Sequence, residues 1–194
     1  MQFYLASKSP RRHQLLKLIV EDFKVLETVV DETALPYETP EDLTIRLAQN
    51  KASSGLVKLK PQPENPIAVI GSDTVVALDD QIFGKPENKA EAISMMNRLS
   101  GRVHKVYSAV AVVADSYLEY RLSVTKLRFR SLSKEQIDRY CASDEPYDKA
   151  GGYGIQGAAG AFVSNLQGSY SGVMGLPLWH TQQLIHHCRQ KLEP

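Results

Sequence analysis

Short apolar runs of strand length alternate along this chain with stretches whose apolar residues recur at helical spacing, and that alternation favours a mixed α/β sheet protein. Phe3 to Ser7 reads as a first strand. Ser9-Pro10-Arg11-Arg12 then opens a helix, because Ser is a favoured N-cap and Pro fits the first helical position, where its missing N–H would be unpaired anyway. Leu15, Leu16 and Ile19 supply its apolar face. Phe23 to Val30 reads as a second strand, followed by Asp31-Glu32-Thr33. Thr39-Pro40-Glu41-Asp42 opens a long helix with an acidic first turn and the stripe Leu43, Leu47, Ala48 and Ala52. Pro61 to Pro66 reads as a rigid surface linker. Ile67 to Ile70 is a continuous apolar strand of the buried kind, Thr74 to Leu78 resumes the extended pattern, and Asp79-Asp80 marks a turn.

The second half continues in the same way. Ala90 to Leu99 is helical and stops at Gly101. Val103 to Val113 and Tyr117 to Phe129 read as two paired strands. Ser133-Lys134-Glu135-Gln136 is a capping box before a short helix. Lys149 to Gly160, rich in Gly and Ala, reads as a loop or tight turn, Ala161 to Val163 as a strand and Leu178 to Arg189 as the last helix. There is no internal repeat and no low-complexity tract.

The length of 194 residues fits one large α/β domain or two small lobes sharing a cleft. Charged residues nearly cancel to a formal +1, which argues against bulk nucleic acid as a partner and requires any anion site to come from a local cluster. Cys141 and Cys188 lie far apart, have no metal-ligand spacing and read as ordinary thiols. The first residues meet charge at Lys8, too soon for a signal peptide, and no apolar run is long enough to span a membrane. A cytoplasmic location is the expectation. His104, His180, His186 and His187 form no catalytic or metal spacing and read as surface or core-edge residues.

Four stretches could carry chemistry. In Ser7-Lys8-Ser9-Pro10-Arg11-Arg12, two arginines stand in the first turn of a helix, where cations repel the dipole but a bound polyphosphate would remove the conflict. The other reading is a pair of solvated surface charges. The stretch lacks the glycines and the Lys-Ser/Thr ending of a P-loop. In Gly71-Ser72-Asp73-Thr74, Asp73 directly follows a buried strand, where a carboxylate can hold a divalent metal or take a proton from water, or simply cap a turn. Lys51, four residues after Leu47, and Lys85, in Phe83-Gly84-Lys85-Pro86, could join the arginines as a phosphate clamp or snorkel at the surface. Finally, Asp148 to Gly157 has glycines that allow close backbone approach to a planar ligand. A buried Gln156 there could read a base edge; the same stretch also reads as a tight connection with no ligand.

Taken together these stretches resemble the Maf family of nucleotide pyrophosphatases over nearly the whole chain. The resemblance rests on Ala6 to Arg12, Val30-Asp31-Glu32, Arg46 to Ala52, Gly71 to Val75, Gly84-Lys85-Pro86, Lys149 to Gly157 and the ending Val173 to Leu178. It implies a single Maf-like domain over residues 1–194, a Maf/ITPase-like α/β fold with two lobes around a deep cleft, a homodimer, and a divalent cation, Mg or Mn, as cofactor. It implies hydrolysis of a nucleoside triphosphate between the α- and β-phosphates with Asp73 as proton acceptor. Ser9, Arg12, Lys51 and Lys85 would then lie around the triphosphate, with Arg11 beside them and Glu32 assisting through metal or water. The branch of the family acting on 7-methyl-GTP typically has Trp at the position of Arg11, Gln at that of Thr74 and Glu at that of Gln156, so this chain resembles the branch that takes dTTP and UTP. Arg11, Thr74 and Gln156 are thereby implied as the specificity residues. The alternative from another class is a non-catalytic nucleotide-binding regulator, since the family has been linked with septum formation and arrest of division. A nucleotidyltransferase would need an acceptor site, for which no residues speak.

Overall fold

The computed structural model of the chain describes residues 1–59 and 66–192, so all but the last residue of the Pro61–Pro66 linker lies outside the described residues. The chain forms one seven-stranded mixed sheet in the order β2-β1-β3-β5-β6-β7, with β4 paired to β3 off that path. The strands are β1 (Gln2–Ala6), β2 (Phe23–Leu26), β3 (Ile67–Leu78), β4 (Gln81–Phe83), β5 (Val103–Ala114), β6 (Tyr117–Phe129) and β7 (Val163–Gln167). The helices are α1 (Pro10–Leu16), α2 (Pro40–Lys58), α3 (Lys89–Leu99), α4 (Lys134–Tyr140), α5 (Tyr170–Met174) and α6 (Leu178–Leu192). The α/β class and the mixed sheet are therefore as the alternation requires. No helix among the described residues is long and apolar enough to cross a membrane.

Local chemistry sets most element ends. Thr39 caps α2 by accepting the Asp42 N–H, Asn88 caps α3 through the Glu91 N–H, and Ser133 with Gln136 closes the expected capping box of α4. Strand β2 stops at Leu26, short of the expected Val30, because its partner β1 ends opposite it at Ala6 and leaves nothing to pair with. The runs Ile67–Ile70 and Thr74–Leu78 are one strand, since β5 pairs along it from Val69 to Ala77. Asp79 and Asp80 both take positive φ, 51° and 62°, as a two-residue hairpin turn requires, and the turn returns the chain as the unexpected short strand β4. Three residues are too few to display a period. The expected strand Ala161–Val163 lies two to four residues late, at Val163–Gln167, because Ala158–Phe162 is taken up by a 3₁₀ turn. Within Lys149–Gly160 the chain also forms a 3₁₀ turn at Ala150–Gly152, and α5, only five residues long, carries no helical periodicity in the sequence.

Each face of the sheet is covered. Helix α2 packs on one face through Leu43, Leu47, Ala48, Ala52 and Leu56. Gly71 of β3 lies directly under it: a Cβ there would stand 2.3 Å from the Ala48 carbonyl oxygen and 2.5 Å from the Ala52 nitrogen, so only glycine admits this approach. The opposite face carries two separate clusters. One joins α1 and α6 to the β1 end of the sheet through Leu15, Leu16, Leu184 and Ile185. The other joins α3 and α4 to the far ends of β3, β5 and β6 through Met96, Leu99, Ile137 and Phe129.

His104 is a correction to the sequence reading. It is a core residue, 1% exposed, with its ring edge-on to Phe129 and Nε2 2.7 Å from the Tyr153 hydroxyl. It occupies an inward position of β5, and only the strand's pairing register shows that. Burial pushes its imidazole from 6.5 down to about 4, so the folded protein holds it neutral. The unfolded chain takes up a proton below about 6.5, and stability contributed at neutral pH is lost as pH falls from there toward about 4. Thermal unfolding is expected at lower temperature across that window, by an amount reaching about 3 kcal/mol from this group. A His104→Gln variant, scanned by calorimetry between these pH values, should show a distinctly shallower fall; an identical slope would remove His104 as the cause.

Candidate active site

The site begins with an interruption in strand pairing. Strand β1 pairs with β3 from Gln2–Ile67 to Leu5–Ile70, and β4 pairs with β3 from Val76–Phe83 to Leu78–Gln81. On that side residues 71–75 of β3 have no strand beside them, while β5 continues unbroken on the other. The chain leaves β1 into α1 on one side of the gap and leaves β4 toward Lys85 on the other. Gly151 N–H donates to the Gly84 carbonyl at 2.9 Å, which ties the glycine-rich loop to the same edge.

Side chains from four separate segments meet at this gap. Asp73 is 7% exposed, and Lys51 reaches it from α2 with Nζ 2.6 Å from Oδ1. The same ammonium lies 2.7 Å from Glu32 Oε1, so Lys51 bridges two carboxylates. It is no snorkelling surface lysine: its side chain is 12% exposed. Desolvation works to raise the Glu32 pKa, but the hydrogen bond and charge of Lys51, with the charges of Lys85 and Arg12, hold it below the ordinary carboxylate value. Lys85 is exposed and reaches the cluster through that charge.

Arg12 is half-buried and anchored. Its Nε donates to the Gly175 carbonyl at 2.8 Å, and its other nitrogens lie 3.4 Å from Thr74 Oγ1 and 3.5 Å from Ser7 Oγ. Burial works to lower its pKa, and the charges of Asp73 and Glu32 oppose that. The reading of both arginines as freely solvated therefore does not hold. Arg11 turns the other way and pairs with Asp148 at 3.3 Å. Ser9 sits at the N-cap of α1, where its side chain makes no capping bond, and its N–H donates to Ser7 Oγ at 3.2 Å. Thr74 shares a 2.7 Å hydrogen bond with Ser108 Oγ.

Gln156 is exposed, not buried as the sequence reading had it. It lies on the turn between the two 3₁₀ segments, where the chain runs over the surface. Among the described residues no group of three His, Cys, Asp or Glu side chains is placed to hold a metal ion. Sequence reasoning missed the Gly175 carbonyl, which accepts from both Arg12 and Ser72, and Ser108, which fixes Thr74. A main-chain oxygen carries no side-chain signal, and Ser108 belongs to a strand whose register with β3 a linear reading does not contain.

Cations and carboxylates are thus gathered at a gap in the pairing of an α/β sheet, the kind of place where α/β proteins take small ligands. The family model described as Maf-like protein matches residues 2–188, and the chain belongs to the Maf family. A relative from Nitrosospira multiformis, named dTTP/UTP pyrophosphatase, is 47% identical and covers 95% of this chain and 93% of its own length. Another of that name, from Alkalilimnicola ehrlichii, is 46% identical, with 94% and 90% covered. A solved nucleoside-triphosphatase/dITP/XTP pyrophosphatase from Mycobacterium abscessus aligns at a TM-score of 0.43 and 17% identity, over 66% of this chain and 74% of that one.

Lys51→Met is expected to raise the pKa of Glu32, because it removes the hydrogen bond and the nearest positive charge while leaving the desolvation in place. A carboxyl-carbon NMR titration reads this directly. A Glu32 titration curve that does not move would mean that the Lys51 bridge is absent in solution.

Proposed function

We propose that this protein is a nucleoside triphosphate pyrophosphatase that hydrolyses dTTP and UTP to the monophosphate and pyrophosphate. The observation that carries this reading is the Lys51 bridge between Asp73 and Glu32 at the open edge of β3, beside the anchored Arg12. Its support is the family and the shared name of relatives such as the one from Nitrosospira multiformis. The two core clusters on one face of the sheet are read as two lobes of a single domain with the site between them. A non-catalytic nucleotide binder would need no carboxylate at this place.

In the proposed reaction a water oxygen forms a bond to the α-phosphorus, the bond from that phosphorus to the bridging oxygen breaks, and pyrophosphate leaves. Asp73 takes the proton of the attacking water. Such displacements need positioning and charge neutralisation more than covalent chemistry. Arg12, Lys51, Lys85 and the Ser9 hydroxyl are assigned to the triphosphate. Lys51, already shared by two carboxylates, also orients Asp73 toward the water. Asp73 and Glu32, whose oxygens both lie against the Lys51 ammonium, are the hard oxygen donors that would hold Mg²⁺ or Mn²⁺, an ion commonly bound by one or two carboxylates together with substrate phosphates. When bound, that cation would supply charge neutralisation on the phosphates. Arg11, Thr74 and Gln156 are assigned to the choice of base. An amide such as Gln156 both donates and accepts, as the carbonyls and N3–H of a pyrimidine require. The working form is proposed to be a homodimer, on the family resemblance alone, and its proposed location is the cytoplasm.

Asp73→Asn keeps the shape of the side chain and removes the base. It is expected to lower kcat for UTP by about 10²–10⁴-fold with the fold retained. Near-normal turnover in pyrophosphate-release assays with added Mg²⁺ would overturn the assignment. For the base, Arg11→Trp combined with Thr74→Gln and Gln156→Glu is expected to lower kcat/KM for UTP and dTTP relative to 7-methyl-GTP. The loss should exceed any gain, since a site with mismatched polar groups leaves them unpaired. An unchanged ratio in the folded triple variant would show that these residues do not read the base.

A further inference from the structure

Glu145 stands on the loop after α4 and takes no part in the cluster around Asp73. Its carboxylate accepts the main-chain N–H groups of Ala158 and Ala159 at 2.9 and 3.3 Å, the first two of the second 3₁₀ turn. The Tyr140 hydroxyl lies 3.2 Å from that carboxylate and 3.2 Å from the Gly152 carbonyl oxygen. Together Tyr140 and Glu145 therefore hold both ends of the segment that contains Gln156. Gly157 packs on the carboxylate itself: a Cβ there would stand 2.3–2.5 Å from its atoms and would push the Glu145 carboxylate from its place. Lys149 donates to the Glu145 carbonyl at 2.7 Å and pairs with Asp148, which pairs in turn with Arg11. The base of this turn is thus a connected network that reaches the start of α1.

We propose that Glu145 is a positioning residue: it fixes the turn that presents Gln156, so that the grip on the pyrimidine depends on a side chain that does not touch the nucleotide. The proposal rests on the reading of Gln156 as a base contact. An ionised acceptor bonded to main-chain N–H groups is stronger than a neutral one, and its removal leaves those donors without their partner. The triphosphate end of the site, held by Lys51, Arg12 and Lys85, does not depend on Glu145.

The test compares wild type, Glu145→Ala and Glu145→Gln in the full chain by three readouts. Hydrogen exchange at the Ala158 and Ala159 amides is expected to quicken in Glu145→Ala and to fall between the two in Glu145→Gln, whose amide oxygen keeps part of the acceptor. KM for UTP is expected to rise about tenfold in Glu145→Ala, the effect of roughly 1.4 kcal/mol of lost binding, with kcat little changed. Inhibition by inorganic tripolyphosphate, which has phosphates and no base, is expected to stay as in wild type. A folded Glu145→Ala protein with wild-type exchange or a wild-type KM overturns the proposal. So does a parallel weakening of tripolyphosphate, which would mark general disruption. If Glu145→Ala does not fold, a wild-type KM or wild-type exchange in Glu145→Gln overturns it in the same way. Should wild type itself not hydrolyse UTP, the functional reading fails, while exchange at Ala158 and Ala159 still decides whether Glu145 holds the turn.

Discussion

Strand β3 has a hydrogen-bonded neighbour along one side from Val69 to Ala77, but on the other side its partners stop at Ile70 and resume at Val76. The rest of the site follows from that gap. Buried main-chain groups normally pair with another strand; here residues 71–75 instead face an opening that neighbouring segments fill with side chains. The gap opens where β1 ends at Ala6. Pro10 lacks an N–H to continue a ladder and starts α1, so the chain turns away just where Arg11 and Arg12 enter the first helical turn. On the far side the hairpin through Asp79 and Asp80 brings β4 back along β3 and delivers Lys85. One backbone constraint therefore assembles cations from two segments far apart in sequence.

Charge balance makes such a cluster tolerable. A carboxylate as little exposed as Asp73 is costly to leave unpaired, and Lys51 sits against it. Lys51 can do so because Gly71 lets α2 lie close on β3, so the register of helix against strand sets the reach of the lysine. Arg12 meets an analogous cost through the Gly175 carbonyl and the Thr74 and Ser7 hydroxyls. These charged groups are thus satisfied by partners within the protein.

The turn that carries Gln156 is held differently. Ile155 and Ala159 of the turn pack on the core cluster with Phe129, Tyr140 and Phe162, and hydrogen bonds from Tyr140 and Glu145 hold its ends. The polar contacts at its ends can be weakened one at a time by conservative substitution, whereas the cluster around Asp73 is set by strand pairing and helix packing. The two parts are linked where Arg11 meets Asp148.

The sequence by itself determined the α/β class, the helix starts at Pro10, Pro40 and Lys134, the long paired strands β5 and β6 and the stretches that meet at the site, because caps, periodicity and motif residues act over a few neighbouring positions. It also placed Lys51, Asp73 and Arg12 among the residues to watch. The tertiary structure decided what depends on partners distant in sequence. It ended β2 at Leu26 where β1 runs out, added β4, sank His104 into the core and brought Gln156 to the surface. It also placed Lys51 between Asp73 and Glu32, and Glu145 beneath the turn after Gly154. None of these follows from a local pattern, because each is set by strand register or by the packing of elements that only the folded chain brings together.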